Sequence, residues 1–253
     1  LSWGAPHCHR SITCLESMRR AVVVTVGVAA HQAYFAVRAF CTYILHKPAG
    51  VLSQRNDFMG RETVYDIFDS LIARGFLPGA PKRVGAVGRL DKETTGLIVM
   101  TDDRELNYAI TSSPLEKRYE VTVCGHLSRD DLSIKSLREP YRYHRKGTNA
   151  GEELWTNPAE VQLMRRWQED PGPKRPEFLG RRSLIEFKIR EGKNRQIRRL
   201  VHRAGLTLMH LHRIALGPVL LDDLPLGLAR RLRNEELAEL RRLCGLEEPP
   251  TAS

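Results

Sequence analysis

The segment Gly85–Thr101 reads GAVGRLDKETTGLIVMT, in which two apolar runs enclose a polar turn. We predict strands over Val84–Leu90 and Leu97–Thr101, because both runs are short, apolar and bounded by turn residues. Asp91 then lies in a turn between two strands that are apolar enough to belong to the core. An aspartate in such a turn most often caps the backbone, so its position alone does not indicate catalysis.

The flanking sequence predicts a protein of the α+β class. Alternating or short apolar runs predict further strands, which are Tyr43–His46, Arg118–Cys124, Ser183–Arg190 and residues 159–164. Apolar residues at helical spacing predict helices, which lie within residues 61–74, 102–110, 194–205 and 234–245. Asn194 is the expected N-cap of the third helix, and Leu237, Leu240 and Leu243 are expected to be buried by the last. No regular βαβ alternation is present, so we expect a mainly antiparallel mixed sheet flanked by helices.

The charge of the chain favours a polyanionic partner. Its 253 residues include 40 Lys and Arg against 30 Asp and Glu, a formal net charge of +10. This length supports a sizeable core, and a hydrophobic content of 42% argues against wholesale disorder. Nucleic acid and an anionic membrane surface both fit the charge, which does not choose between them.

Basic residues are concentrated where the third helix is predicted to begin. Arg195, Arg198 and Arg199 fall in its first turns, with Lys193 just before them. Because the helix dipole is positive there, arginines are locally unfavourable and suggest a nearby anion, either a buried carboxylate or phosphates. A solvated basic helix face explains the same residues equally well. Tyr119 is similarly open to two interpretations, as a core tyrosine or as an aromatic ring that stacks on an unpaired base.

Four blocks of the sequence together resemble a known family. They are residues 46–51 (HKPAGV), Gly85–Thr101, residues 116–121 (EKRYEV) and residues 191–200 (EGKNRQIRRL). In this order they resemble the RsuA-like branch of the ribosomal RNA pseudouridine synthases, which includes RsuA, RluB, RluE and RluF. The resemblance runs from about residue 43 to 243. It implies the pseudouridine-synthase fold, with the active-site cleft at its centre.

The resemblance also implies roles for particular residues. Asp91 would be the catalytic carboxylate, acting either as a nucleophile or as a base that abstracts a sugar proton. Arg198 would keep that carboxylate ionised, with Arg195 as the second choice. Tyr119 would stack on the flipped uracil, and Arg89 would fill the space left by the base or contact its phosphate.

The remaining implications concern partners. Lys47, Lys193, Arg195 and Arg199 would contact the RNA backbone. We expect ribosomal RNA as the partner, of the large subunit, with no cofactor, no metal, no membrane association and a monomeric protein. A catalytically silent RNA-binding or ribosome-assembly factor on the same fold is the competing hypothesis. The joint presence of Asp91, Arg198 and Tyr119 favours the enzyme.

The expected domain organisation is an N-terminal extension, a catalytic domain and a tail. The catalytic domain is predicted over residues 43–245 and the tail over 246–253. Residues 1–42 do not resemble the small RNA-binding module with which many members begin, so the layout is similar to the short RluE type. This extension is expected to be poorly ordered or unrelated to the family. It also has features of a transit peptide, so we expect either the bacterial cytoplasm or an organelle.

Overall fold

A computed structural model of the protein describes residues 40–143, 154–170 and 180–246. The predicted extension and tail lie almost wholly outside these residues. The strands are β1 (Thr42–Lys47), β2 (Gly85–Val87), β3 (Thr95–Thr101), β4 (Lys117–Cys124), β5 (Arg142–Tyr143), β6 (Leu154–Trp155), β7 (Glu160–Gln168), β8 (Arg181–Ile189), β9 (Leu208–Leu216), β10 (Val219–Leu220) and β11 (Ala229–Arg231). The helices are α1 (Val64–Ala73), α2 (Arg104–Ser112), α3 (Leu132–Arg138), α4 (Gln196–Arg203) and α5 (Asn234–Leu243).

Nine of the described strands form one sheet, in the order β11-β1-β3-β9-β4-β8-β7, with β2 added to β3 and β10 to β9. The pairing of β3 with β9 is parallel, and every other strand pair among the described residues is antiparallel. Strands β5 and β6 form a separate two-stranded sheet. The prediction of an α+β protein with a mainly antiparallel mixed sheet is therefore confirmed.

The two halves of the main sheet meet where β3 runs beside β9. Thr95 pairs with His212 and Gly96 with Arg213. A Cβ atom at residue 96 would collide with the backbone carbonyl of Arg213, so only glycine permits this close approach. The Arg213 side chain is buried and donates through Nε to the carbonyl of Leu97 at 2.7 Å. This junction places the turn that precedes β3 beside the middle of the sheet.

Hydrophobic clusters cover both faces of the sheet. On one face, Phe68 of α1 and Val201 of α4 pack with the inward residues of β4 and β8. On the other face, Leu106 of α2 and Leu240 of α5 pack with Ile44 of β1. Adjacent residues of β1 point into different clusters, as expected for a strand covered on both sides. The longest described helices have ten residues, too few to cross the hydrocarbon core of a bilayer.

Several features differ from the sequence-based predictions. Helix α3 and strands β5, β6, β9, β10 and β11 were not predicted, and β7 extends to Gln168 beyond the expected residue 164. Asn194 is not the N-cap of α4, because Arg195 occupies that position in the left-handed region, at φ 52°. Leu243 is exposed, whereas Leu240 of the same helix is buried as expected.

Candidate active site

The turn that carries Asp91 is held by the segment that follows β1. The Ser53 hydroxyl donates to the carbonyl of Leu90 at 2.9 Å and accepts the Leu90 N–H at 3.1 Å. The Gly50 N–H donates to the carbonyl of Lys92 at 2.9 Å. Within the turn, the Thr94 N–H donates to the Asp91 carbonyl at 3.0 Å. Asp91 is therefore presented from a backbone that is fixed on both sides.

Lys47 lies beneath this turn and is fully buried. Its Nζ donates to the carbonyls of Pro48 at 2.8 Å, Lys92 at 3.0 Å and Thr94 at 2.8 Å. Burial lowers the pKa of Lys47 from 10.5 to about 8, so the ammonium remains charged at neutral pH. The prediction that Lys47 contacts the RNA backbone is wrong, because its ammonium is enclosed by protein and donates its hydrogen bonds to these carbonyls.

Two arginines reach the Asp91 carboxylate from the start of α4. Arg198 donates through Nε to Asp91 Oδ2 at 3.1 Å, and Arg195 Nη1 lies 3.6 Å from the same oxygen. The Arg198 side chain is 18% exposed and that of Arg195 is 54% exposed. Since charge interactions weaken with solvent exposure, Arg198 is the stronger partner of the carboxylate.

Thr94 holds the other end of the Arg198 guanidinium. Arg198 Nη2 donates to Thr94 Oγ1 at 3.0 Å, and Thr94 is buried. The turn therefore supplies both the carboxylate that Arg198 faces and the hydroxyl that fixes the plane of its guanidinium. The sequence analysis did not identify Thr94 as a site residue, although it lies in the same turn as Asp91, three residues further along the chain.

The start of α4 is built by Glu191 and Gln196. The buried Gln196 donates through Nε2 to Glu191 Oε1 at 2.7 Å, and its own Oε1 accepts the Lys193 N–H at 3.2 Å. These bonds close the turn that precedes the helix, with Arg195 in the left-handed conformation at its end. Arg195 and Arg198 are thereby directed to the same carboxylate, although an arginine is an unfavourable residue at a helix N-terminus.

A cleft is formed around Asp91, and six of the eight predicted site residues line it. They are Arg89, Asp91, Tyr119, Lys193, Arg195 and Arg198. Arg199 is exposed on α4 outside this lining, and Lys47 lies below it. The apolar wall includes Ile189 of β8 and Leu211 of β9, which sequence reasoning did not identify. The cleft thus combines one carboxylate, several cations and an apolar wall with an aromatic ring.

The residue after Thr94 faces a different environment. Thr95 Oγ1 lies 3.0 Å from His210 Nε2 and 2.7 Å from His212 Nδ1. Burial, together with the neighbouring His46 and His210, lowers the pKa of His212 to about 4. Among the described residues, no three or more His, Cys, Asp or Glu side chains are grouped so that they could hold a metal ion.

Comparison with known proteins identifies the family. The RNA pseudouridylate synthase family matches residues 42–203, which is more than half of the chain and includes Asp91, Tyr119 and Arg198. The chain belongs to this family. It is an RNA pseudouridine synthase, and its predicted resemblance to the RsuA-like branch is confirmed by its relatives.

Two of these relatives come from bacteria. Ribosomal large subunit pseudouridine synthase E of Xanthomonas axonopodis pv. citri is 33% identical, over 72% of this chain and 88% of the relative. Ribosomal large subunit pseudouridine synthase B of Bacillus subtilis is 29% identical, over 79% of this chain and 71% of the relative. A crystal structure of a pseudouridylate synthase superposes with a TM-score of 0.59 and 26% identity, over 81% of this chain and 75% of the other. The predicted fold of the synthase is therefore confirmed.

Proposed function

We propose that this synthase isomerises a specific uridine of ribosomal RNA to pseudouridine, with Asp91 as the catalytic carboxylate. The observation that carries the proposal is the 3.1 Å contact between Arg198 and Asp91 at the wall of a cleft that also contains Tyr119. A carboxylate beside an apolar wall suits a reaction that takes place on an uncharged base.

The reaction breaks the bond between the ring nitrogen and the anomeric carbon of the sugar. The base then rotates and is joined again through a ring carbon, which loses its hydrogen as a proton while the freed ring nitrogen gains one, so there is no net oxidation. Asp91 either attacks as a nucleophile or abstracts a sugar proton to give a glycal, and a carboxylate suits both routes. In either route Arg198 orients the carboxylate and balances its charge before the substrate arrives.

The base of the target uridine must leave its stack to reach Asp91. Flipping a base out of structured RNA costs a few kcal/mol, which contacts inside the cleft must offset. We propose that the ring of Tyr119 stacks on the flipped uracil. Arg89, which is exposed at the rim of the cleft, would contact the displaced strand or fill the vacated space.

The cations around the cleft are suited to hold the RNA backbone. We propose this role for Lys193, Arg195 and the exposed Arg199. These contacts would provide affinity and register, while the choice of uridine would depend on RNA structure. Because both reported relatives are named as large-subunit enzymes, we propose large-subunit ribosomal RNA as the target. We further propose a monomeric protein that acts in the cytoplasm of a bacterium or in an organelle, with residues 43–245 as its catalytic domain.

A silent RNA-binding factor is a weaker explanation of the same site. Such a factor requires surface cations, whereas it gains nothing from a guanidinium that is bonded to both Asp91 and Thr94. The alternative therefore does not account for the arrangement inside the cleft.

Mapping of pseudouridine in ribosomal RNA tests the proposal. RNA from cells that lack this protein should lose one large-subunit site, and expression of the intact protein should restore it. Expression of the Asp91→Asn variant should not. An unchanged pseudouridine map in the deletion strain would refute the proposed function.

A further inference from the structure

The small sheet β5–β6 presents an exposed tryptophan. Trp155 is 55% exposed and pairs with Arg142, which is also exposed. Because residues that are directly opposite in an antiparallel pair share one face, the two side chains lie together on the outer side. Tyr143 points the other way and packs against the main core. The sheet is thus anchored on one face and offers an aromatic ring and a guanidinium on the other.

Hydrogen bonds attach this small sheet to the rim of the Asp91 cleft. The Asn157 N–H donates to Glu191 Oε1 at 2.8 Å, and the same oxygen accepts from Gln196 at the start of α4. Lys193 lines the cleft, and its Nζ lies 5.3 Å from the centroid of the Tyr143 ring. These contacts attach the small sheet that carries Trp155 to the start of α4, which forms one side of the cleft.

The backbone around Trp155 is also fixed locally. The Thr156 N–H donates to the carbonyl of Tyr141 at 3.0 Å, and the Tyr141 N–H donates to the Thr156 hydroxyl at 3.0 Å. Thr156 itself is buried. A tryptophan on a fixed backbone has only two side-chain torsions to lose when a flat partner is placed on its ring.

We propose that Trp155 is a stacking platform for an unpaired nucleotide that lies next to the target uridine, an inference that rests on the proposed function. Flipping one base out of a stack leaves its neighbours without a stacking partner, and an exposed aromatic ring on a sheet attached beside the cleft replaces that partner. Arg142, Lys193 and Arg199 supply positive charge for the phosphates of the same strand. An exposed aromatic ring among cations is the arrangement that single-stranded nucleic acids bind.

Binding of a short oligouridylate to the full-length protein tests this role. We expect Trp155→Ala to weaken binding by about 5- to 150-fold, which is the range for the loss of one base–aromatic stack. Trp155→Phe should restore most of the affinity, because it keeps a flat ring. Trp155→Leu should not, because it keeps apolar area without an aromatic face. Trp167→Ala, on the edge strand β7, is the matched control and should bind like the wild type.

Two results would overturn the proposal. One is wild-type affinity in Trp155→Ala, and the other is recovery by leucine that equals recovery by phenylalanine. Urea unfolding of each variant should give the wild-type midpoint, because the Trp155 ring is largely outside the core. If Trp155→Ala does not fold, the comparison of Trp155→Phe with Trp155→Leu decides the outcome. Turnover of unmodified ribosomal RNA is measured separately. If the wild-type protein shows no turnover, the proposed function is refuted. If the wild-type protein shows turnover and Trp155→Ala binds oligouridylate with wild-type affinity, only the platform is refuted.

Discussion

Arg198 lies 107 residues after Asp91 in the chain, yet its Nε donates to the Asp91 carboxylate at 3.1 Å. The contact joins the turn before β3 to the first turn of α4. Arg195 reaches the same oxygen from the N-cap position of that helix, at 3.6 Å and with greater exposure. The two arginines are therefore not equivalent, and their substitution should separate them.

We expect Arg198→Leu to reduce kcat for pseudouridine formation by about 10²–10³-fold, the usual loss when a charge-stabilising group is removed from an enclosed site. Arg195→Leu should reduce kcat much less and should mainly weaken RNA binding. Single-turnover rates at saturating protein measure the first effect and equilibrium binding the second. Equal losses of kcat in the two variants would contradict the assignment of Arg198 as the main partner.

Thr94 provides a sharper test of how Arg198 is oriented. Thr94→Val keeps the shape of the side chain and removes the hydroxyl that accepts from Arg198 Nη2. We expect a roughly tenfold or greater loss of kcat, because a hydrogen bond to a charged group is lost. Thr95→Val is the matched control, since the Thr95 hydroxyl contacts His210 and His212 instead. A wild-type kcat in Thr94→Val would show that Asp91 alone orients the arginine.

The sequence predicted the elements whose apolar residues alternate without interruption. Strand β4 is such a case, because Tyr119, Val121 and Val123 all face the core. Strand β9 was not predicted, because Arg213 interrupts its apolar residues. An arginine is expected at the surface, whereas this one is buried. Only the fold reveals that the Arg213 guanidinium binds a carbonyl of β3. In β7 the bulge between Leu163 and Arg165 interrupts the alternation of inward and outward side chains, so only the first part of this strand was predicted.

The candidate site was likewise predicted only in part from the sequence. The segments that carry Asp91 and Arg198 were recognisable, because their residue types and spacing resemble one family. The role of Lys47 was not recognisable, because a lysine before a proline–glycine turn has the same sequence whether it faces solvent or the core. Three carbonyls from distant and adjacent residues enclose it, and this depends on how the Asp91 turn folds over β1.

The salt dependence of RNA binding distinguishes the buried lysine from a surface cation. Arg199→Met should lower the slope of log affinity against log salt by about 0.7–0.9, the effect of one lost phosphate contact. Lys47→Met should leave the slope unchanged and should destabilise the fold, because three buried carbonyls lose their donor. Filter binding at several salt concentrations gives the slopes, and urea unfolding gives the stabilities. A reduced slope in Lys47→Met would restore it as an RNA contact.

His212 should make folding stability depend on pH. Its pKa is about 4 in the folded protein against an ordinary value of 6.5. As pH falls below 6.5 the unfolded chain gains a proton at this residue before the folded protein does, so stability is full above 6.5 and declines towards pH 4. We expect this decline to exceed that of His212→Gln by about 1–3 kcal/mol. Urea unfolding at intervals from pH 7 down to the lowest pH at which the protein folds measures this decline. The same dependence of stability on pH in the wild type and in His212→Gln would contradict the prediction.

The most direct test of the role of Asp91 is turnover by Asp91→Asn, a substitution that removes the carboxylate charge and preserves the shape of the side chain. We predict that pseudouridine formation on unmodified ribosomal RNA falls by at least about 10⁴-fold, as for other residues that act on the reacting atoms. RNA affinity should stay at the wild-type level, because Asp91 contributes no positive charge to phosphate binding. Turnover within a few-fold of the wild-type rate would show that Asp91 is not the catalytic carboxylate.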